Sequence, residues 1–153
     1  MTSESLSDNE IELVKNSWDV VKKDGKHFGN QLFIDFFTKH PTYQQNFKSL
    51  ANIPLSELGS SKRLLAHTTG VMYALTSLVD NLDDTEVVVE MLAKTGDNHR
   101  RRRLDVRAFD ELGVVFIDLL RTALGANVLD GQLLNAWSKT YSLIVAHIKT
   151  AFQ

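Results

Sequence analysis

Apolar residues recur at intervals of three and four along almost the whole chain, and no stretch alternates apolar and polar residues for long enough to suggest a strand. Because side chains three and four positions apart share one face of an α-helix, this spacing predicts a helical protein. The last segment carries the longest stripe of this kind, formed by Leu134, Trp137, Tyr141, Ile144, Ile148 and Phe152. The pattern therefore predicts an all-α fold.

Local sequence signals divide this pattern into six long helices and one or two short ones. The segment Ser7–Glu10 has the form of a capping box that begins the first helix. Pro41 fits the first turn of a short helix over 41–46, since the first helical amides have no partner within the helix. Gly125 is typical of a helix end. The segment 48–59 contains Asn52, Pro54 and Gly59, and this composition predicts an irregular connection.

Composition narrows the class of protein. With 153 residues, 43% of them hydrophobic and 24% charged, the chain is typical of one soluble domain, 1–153. A net charge of −2 argues against binding to nucleic acid or to an anionic membrane surface. The absence of cysteine excludes disulfides, cysteine-ligated zinc and iron–sulfur clusters. The start, Met1–Glu4, does not resemble a secretory leader, so we expect a cytoplasmic protein without a membrane span.

Two histidines stand on apolar helical stripes. His67 is in phase with Val71 and Leu75, and His99 is in phase with Leu92. An imidazole on an apolar stripe is costly to bury unless its nitrogen atoms find partners. Two imidazoles directed at one interior from two helices can bind a single buried metal. The residues alone favour the simpler interpretation, in which each is a hydrogen-bonded histidine of the core.

A set of marker residues follows one order from the first helix to the last: Trp18, Pro41, Phe47, His67, Val71, His99 and Trp137. In this order and spacing the chain resembles the globin family over essentially its whole length. The resemblance implies a globin fold around a haem pocket, with haem b as the cofactor. It implies that His99 is the proximal iron ligand, with its other ring N–H oriented by the carbonyl of Thr95. It also implies that His67 is the distal histidine, which donates a hydrogen bond to a bound gas.

The resemblance further implies which residues surround the haem. Phe33 lies over the bound ligand, Val71 crowds the same face, and Phe47 lies against the porphyrin plane. The proximal wall is formed by Leu92, Leu104, Val106 and Phe109. Arg103 pairs with one haem propionate and Arg63 serves the other side. Without the family frame, each of the apolar residues is equally well explained as ordinary core.

A basic run, Arg100–Arg103, directly follows His99. Three interpretations remain open for it. One residue, Arg103, pairs with a propionate; or the run is a solvated turn that offsets the dipole at the helix end; or it docks an acidic redox partner or reductase. The sequence also leaves open whether the chain forms a homodimer.

Two functions follow from the resemblance. The first, which we expect, is reversible binding of dioxygen to ferrous haem for storage or transport, with CO and NO as further gas ligands. The second resembles neuroglobins, in which the distal histidine (here His67) also ligates the iron, with a redox, nitric-oxide, nitrite or sensing role. Leu32-Phe33 and Val71-Met72 support this second reading. We expect no other enzyme activity, because the chain has no nucleophile–base motif and no phosphate-binding glycine loop.

Overall fold

The computed structural model describes residues 5–153, and within them the chain forms six long helices, two short helices and no strand. In chain order the helices are α1 Asp8–Lys22, α2 Gly25–Lys39, α3 Pro41–Gln44, α4 Leu55–Leu58, α5 Lys62–Asp80, α6 Thr85–Arg101, α7 Arg107–Leu124 and α8 Gly131–Thr150. The predicted all-α class and number of helices are confirmed. The segment Met1–Glu4, which does not resemble a secretory leader in sequence, lies outside the described residues.

The predicted helix start and helix end are both present. The backbone amide of Glu10 donates to Ser7 Oγ at 3.1 Å, and the amide of Ser7 donates to Glu10 Oε1 at 3.0 Å. This reciprocal capping box satisfies two amides that the first turn of α1 leaves free. Gly125 ends α7 with φ at +93°, a backbone conformation that costs glycine little.

The structure differs from the sequence prediction between α2 and α5. The short helix predicted over 41–46 ends at Gln44, and a turn follows it. The stretch predicted as irregular, 48–59, contains α4. Pro54 precedes α4 as its N-cap residue, in an extended conformation with φ at −59° and ψ at 143°, and the fully buried Leu58 anchors the turn. A single turn is too short to show helical periodicity in sequence.

Two buried tryptophans connect the helices at the centre of the core. Trp18 of α1 and Trp137 of α8 pack with their ring centroids 5.7 Å apart. Trp18 Nε1 donates to Thr76 Oγ1 of α5 at 3.0 Å, and Trp137 Nε1 donates to Ser17 Oγ of α1 at 2.8 Å. Each indole therefore contributes a large apolar area without leaving its N–H unpaired, which would cost about 1–3 kcal/mol.

Glycines allow the helices that carry the two histidines to approach their neighbours closely. A Cβ atom at Gly96 of α6 would lie 2.7 Å from Ala151 Cβ and 2.9 Å from the carbonyl oxygen of Ile148. A Cβ atom at Gly29 of α2 would lie 2.9 Å from Met72 Cγ of α5. Because Gly96 and Gly29 carry no side chain, α6 can lie this close to α8 and α2 can lie this close to α5. None of the helices in the described part of the chain is long and apolar enough to cross a bilayer.

Candidate functional site

A cavity of about 160 Å³ lies between α2, α5, α6, α7 and α8. Its wall is mostly apolar, and the polar side chains in it are His67, Thr95, His99 and Tyr141. An apolar cavity with a few converging polar groups is the usual form of a site for a small molecule or cofactor. The helical phases predicted from the sequence therefore do bring His67 and His99 to one interior space.

Most of the predicted site residues line this cavity: Phe33, Phe47, His67, Val71, Leu92, His99, Leu104 and Phe109. Val106, Arg63 and Arg103 are not part of the lining. Val106 packs against an apolar cluster with members from α5, α6, α7 and α8, among them Leu92 and Phe109, and both arginines are exposed. Their contacts with a haem edge stay a prediction.

His99 is held near the end of α6 by contacts on two sides. Its Nδ1 lies 2.8 Å from the carbonyl oxygen of Thr95, one helical turn earlier. Since a carbonyl only accepts, this contact favours the tautomer with the proton on Nδ1 and leaves the Nε2 lone pair free. The ring of Phe109 meets the imidazole edge-on, with centroids 5.2 Å apart. The orienting contact predicted for Thr95 is therefore present.

His67 of α5 is half-buried, and its Nε2 atom is fully buried and has no hydrogen-bond partner among the described residues. Burial lowers the pKa of His67 to about 4, helped by the charges of His99 and Arg102, so the ring is neutral at pH 7. Phe33 and Phe47 meet the ring edge-on, with centroids at 4.7 and 5.1 Å. An unpaired buried polar atom costs about 1–3 kcal/mol, so its retention here is explained best by a ligand that pairs with it.

The donor set fits an iron porphyrin better than a free metal ion. The described residues contain no group of three or more His, Cys, Asp or Glu side chains placed to hold a metal. Two imidazoles are too few for a metal ion held by protein side chains, which supply at least three ligands in zinc sites and more in most others. A porphyrin supplies four ligands itself and needs only axial ones, which neutral imidazoles provide. The apolar and aromatic wall suits the porphyrin plane.

The basic run Arg100–Arg103 is divided by its ion pairs. Arg100 and Arg101 both bind the carboxylate of Asp97, at 2.7 and 3.0 Å, on the exposed side of α6. Exposed pairs of this kind stabilise by only about 0–1 kcal/mol. Arg103 adopts a left-handed backbone conformation, with φ at +57°, directly after the helix. For Arg100 and Arg101 the contacts favour the solvated-turn interpretation.

Sequence reasoning missed Tyr141 as a residue of the cavity. Its place on the stripe of α8 indicates burial, which the structure shows, but periodicity does not distinguish a residue that faces a cavity from one that faces another helix. A signal was available in its hydroxyl group, which needs a partner when it is buried. That partner is the carbonyl oxygen of Phe109, at 2.6 Å.

Comparison with known proteins adds the following matches. A family model described as Globin matches residues 30–148. The chain is 29% identical to a neuroglobin from Dissostichus mawsoni over 144 residues, covering 94% of this chain and 90% of that protein. It is 28% identical to a globin from Nerita albicilla, covering 88% of this chain and 85% of that one. A solved structure of a Drosophila melanogaster hexa-coordinate haemoglobin superposes with a TM-score of 0.90 over 97% of this chain and 96% of that chain, at 22% identity. At that identity the likeness shows the fold alone.

Proposed function

This chain belongs to the globin family, and we propose that it holds haem b in the cavity between α5 and α6 and there binds dioxygen reversibly. Carbon monoxide and nitric oxide are the further gas ligands of the same site. The observation that carries the proposal is the buried, unpartnered Nε2 of His67, which faces the same cavity as His99. When bound, the haem supplies the iron at which the gas binds.

In this proposal His99 holds the iron through Nε2. The contact between its Nδ1 and the carbonyl oxygen of Thr95 keeps the ring in the required tautomer and orientation. Phe47, Val71, Leu92, Leu104 and Phe109 provide the apolar wall around the porphyrin. Arg103 and Arg63 are assigned to the propionates, outside the described cavity lining.

His67 donates the hydrogen bond that retains the gas. Its ring is neutral, so one nitrogen carries a proton and can donate, and a hydrogen bond to a group with developing charge is worth about 1.5–3 kcal/mol. Phe33 and Phe47, packed edge-on against the ring, keep it in place and exclude water from the cavity. Exclusion of water protects ferrous iron from oxidation.

A second candidate function has specific support. A neutral His67 with an unpaired Nε2 can itself ligate the iron, which makes it six-coordinate when no gas is present. The structural neighbour is a hexa-coordinate haemoglobin, and neuroglobins are among the relatives. A gas then competes with His67, and its apparent affinity falls with the fraction of open sites. This alternative favours a redox, nitric-oxide, nitrite or sensing role.

The absorption spectrum of the purified protein, reduced with dithionite and free of oxygen, tests both candidates. An intense near-ultraviolet porphyrin band is expected, and its absence after reconstitution with haem would contradict haem binding altogether. A single broad visible band indicates five-coordinate iron and supports dioxygen storage or transport. Two sharp visible bands indicate six-coordinate iron and support the second candidate.

A further inference from the structure

We propose that Tyr141 of α8 is a positioning residue for His99, acting through the backbone and ring of Phe109, and that Gly113 exists to give Tyr141 room. This inference rests on the proposed role of His99 as the iron ligand. The role is assigned to the hydroxyl group of Tyr141 and concerns the proximal side of the cavity. This hydroxyl group bonds to Phe109 and contacts neither His99 nor His67.

A hydrogen bond joins α8 to α7 at Tyr141. The hydroxyl of Tyr141 donates to the carbonyl oxygen of Phe109 at 2.6 Å, which ties α8 to the first turn of α7. Tyr141 is largely buried, and burial, followed by the nearby Asp110 carboxylate, raises the pKa of its hydroxyl. The group therefore stays protonated and remains a donor throughout the physiological range.

Phe109 is in turn in direct contact with His99. The ring of Phe109 meets the imidazole edge-on, at 5.2 Å between centroids and 72° between planes, and it also packs against Phe152, with centroids 6.2 Å apart. The imidazole has one hydrogen bond, to the carbonyl of Thr95, and a single bond at Nδ1 leaves the ring free to rock about it. Phe109 restricts this motion, and Tyr141 fixes the backbone from which Phe109 extends.

Tyr141 packs closely against α7. Gly113 lies one turn after Phe109, and a Cβ atom there would overlap Tyr141 Cε1 and lie 2.9 Å from Cδ1. Phe116, three residues after Gly113 on the same face of α7, stacks on the tyrosine ring with centroids 5.7 Å apart and an interplanar angle of 28°. The ring therefore packs on this face of α7, where the absence of a side chain at Gly113 leaves room for it, and its hydroxyl reaches the carbonyl of Phe109.

Packing alone does not require this hydroxyl. A phenylalanine at position 141 would fill the same space against Phe116, without the need to satisfy a buried polar group. The residue's polar atom serves only the contact with Phe109. Tyr141→Phe is therefore the informative substitution, because it removes the hydrogen bond and keeps the ring.

The test compares Tyr141→Phe with Ser17→Ala, a control that removes the partner of another buried donor, Trp137 Nε1, between α1 and α8. The readout is the iron–histidine stretching band in the resonance Raman spectrum of the photodissociated CO form, which is five-coordinate whatever the resting state. Tyr141→Phe is expected to shift and broaden this band, and Ser17→Ala is expected to leave it unchanged despite a similar loss of thermal stability. A band that is identical in Tyr141→Phe and wild type overturns the proposal, and so does an equal shift in the control.

A second measurement needs no haem. In the haem-free protein, ¹³C relaxation of the His99 ring is expected to report larger motion in Tyr141→Phe than in wild type or Ser17→Ala. Equal motion in all three overturns the inference. If wild type binds no haem, the proposed function fails, and this measurement still decides whether Tyr141 restrains His99.

Discussion

Replacing Gly96 by alanine tests whether the contact between α6 and α8 sets the place of His99. The added Cβ would lie 2.7 Å from Ala151 Cβ, 2.9 Å from the carbonyl oxygen of Ile148 and 3.4 Å from its Cα. Carbon atoms pack at about 3.5–4.0 Å, so the two helices must separate by about 1 Å. Two of the three opposing atoms belong to the backbone, which cannot turn aside as a side chain does.

The magnitude follows from two opposing effects. Overpacking of a well-packed contact costs about 1–3 kcal/mol. Alanine inside a helix is favoured over glycine by about 0.8–1.0 kcal/mol. Because backbone atoms oppose the new methyl group, we expect overpacking to win, with a net loss of up to about 2 kcal/mol in the free energy of unfolding. For a domain of this size that loss corresponds to a fall in Tm of up to roughly 8 °C.

Gly70→Ala is the matched control. Gly70 is an exposed residue of α5, and a Cβ atom there would meet nothing within 4 Å. The same chemical change should therefore stabilise the protein at this position, by about 0.5–1 kcal/mol. The assay is urea unfolding of the haem-free protein, followed by the rate at which each reconstituted variant loses haem. Faster haem loss is expected in Gly96→Ala, because α6 carries His99. Equal stability of the two variants would refute the packing argument, and unchanged haem loss in Gly96→Ala would refute its link to His99.

Three further predictions concern single side chains. His99→Ala should lose haem or bind it weakly, because the proposed iron bond is gone; normal haem retention in the absorption spectrum would refute the assignment. If His67 only donates a hydrogen bond, His67→Leu should speed dioxygen release by about 10- to 150-fold. If His67 ligates the iron, the same change should instead accelerate ligand binding. Stopped-flow measurements in which both rates are unchanged would remove His67 from the site. The amide of Ser7, then Lys139, lowers the pKa of Glu10 below its usual value of 4.5. The carboxylate of Glu10 therefore takes up a proton at higher pH in the unfolded chain than in the folded chain, and the stabilisation it gives at neutral pH should be lost as the pH falls through and below 4.5. The urea midpoint should accordingly fall less on acidification in Glu10→Gln than in wild type.

That His67 and His99 lie on the inward faces of their helices was predictable because it depends on local geometry, whereas their convergence on one site was implied only by the family resemblance. Helical phase places His67 and His99 on buried faces, and the carbonyl one turn before His99 is always within reach of its ring. The capping box at Ser7 and the helix end at Gly125 depend on neighbouring residues only, and both were predicted correctly. These features need no knowledge of how the helices pack.

The helix contacts were not predictable from one sequence. A glycine within a helix reads as a weak point of low propensity, and only the packed structure shows that Gly96 and Gly113 are places where another helix or ring comes close. Val106 shows the same difficulty in reverse. It was predicted for the proximal wall, and the structure places it outside the cavity lining but against the cluster that contains the lining residues Leu92 and Phe109, so its place beside a haem stays a prediction. Burial follows from periodicity, but the identity of the neighbour depends on tertiary packing.

In our proposal, different surroundings give the identical side chains of His67 and His99 different roles. The carbonyl of Thr95 accepts from Nδ1 of His99, so in the neutral ring it is Nε2 that carries the lone pair. His67 has no protein partner at Nε2, so that nitrogen can carry a proton and donate to a gas, or lose it to the other ring nitrogen and offer a lone pair to iron. In our proposal both candidate functions therefore depend on one atom. The fraction of iron left open by His67 sets how far the apparent gas affinity falls below the intrinsic one, and the band pattern of the reduced protein measures that fraction.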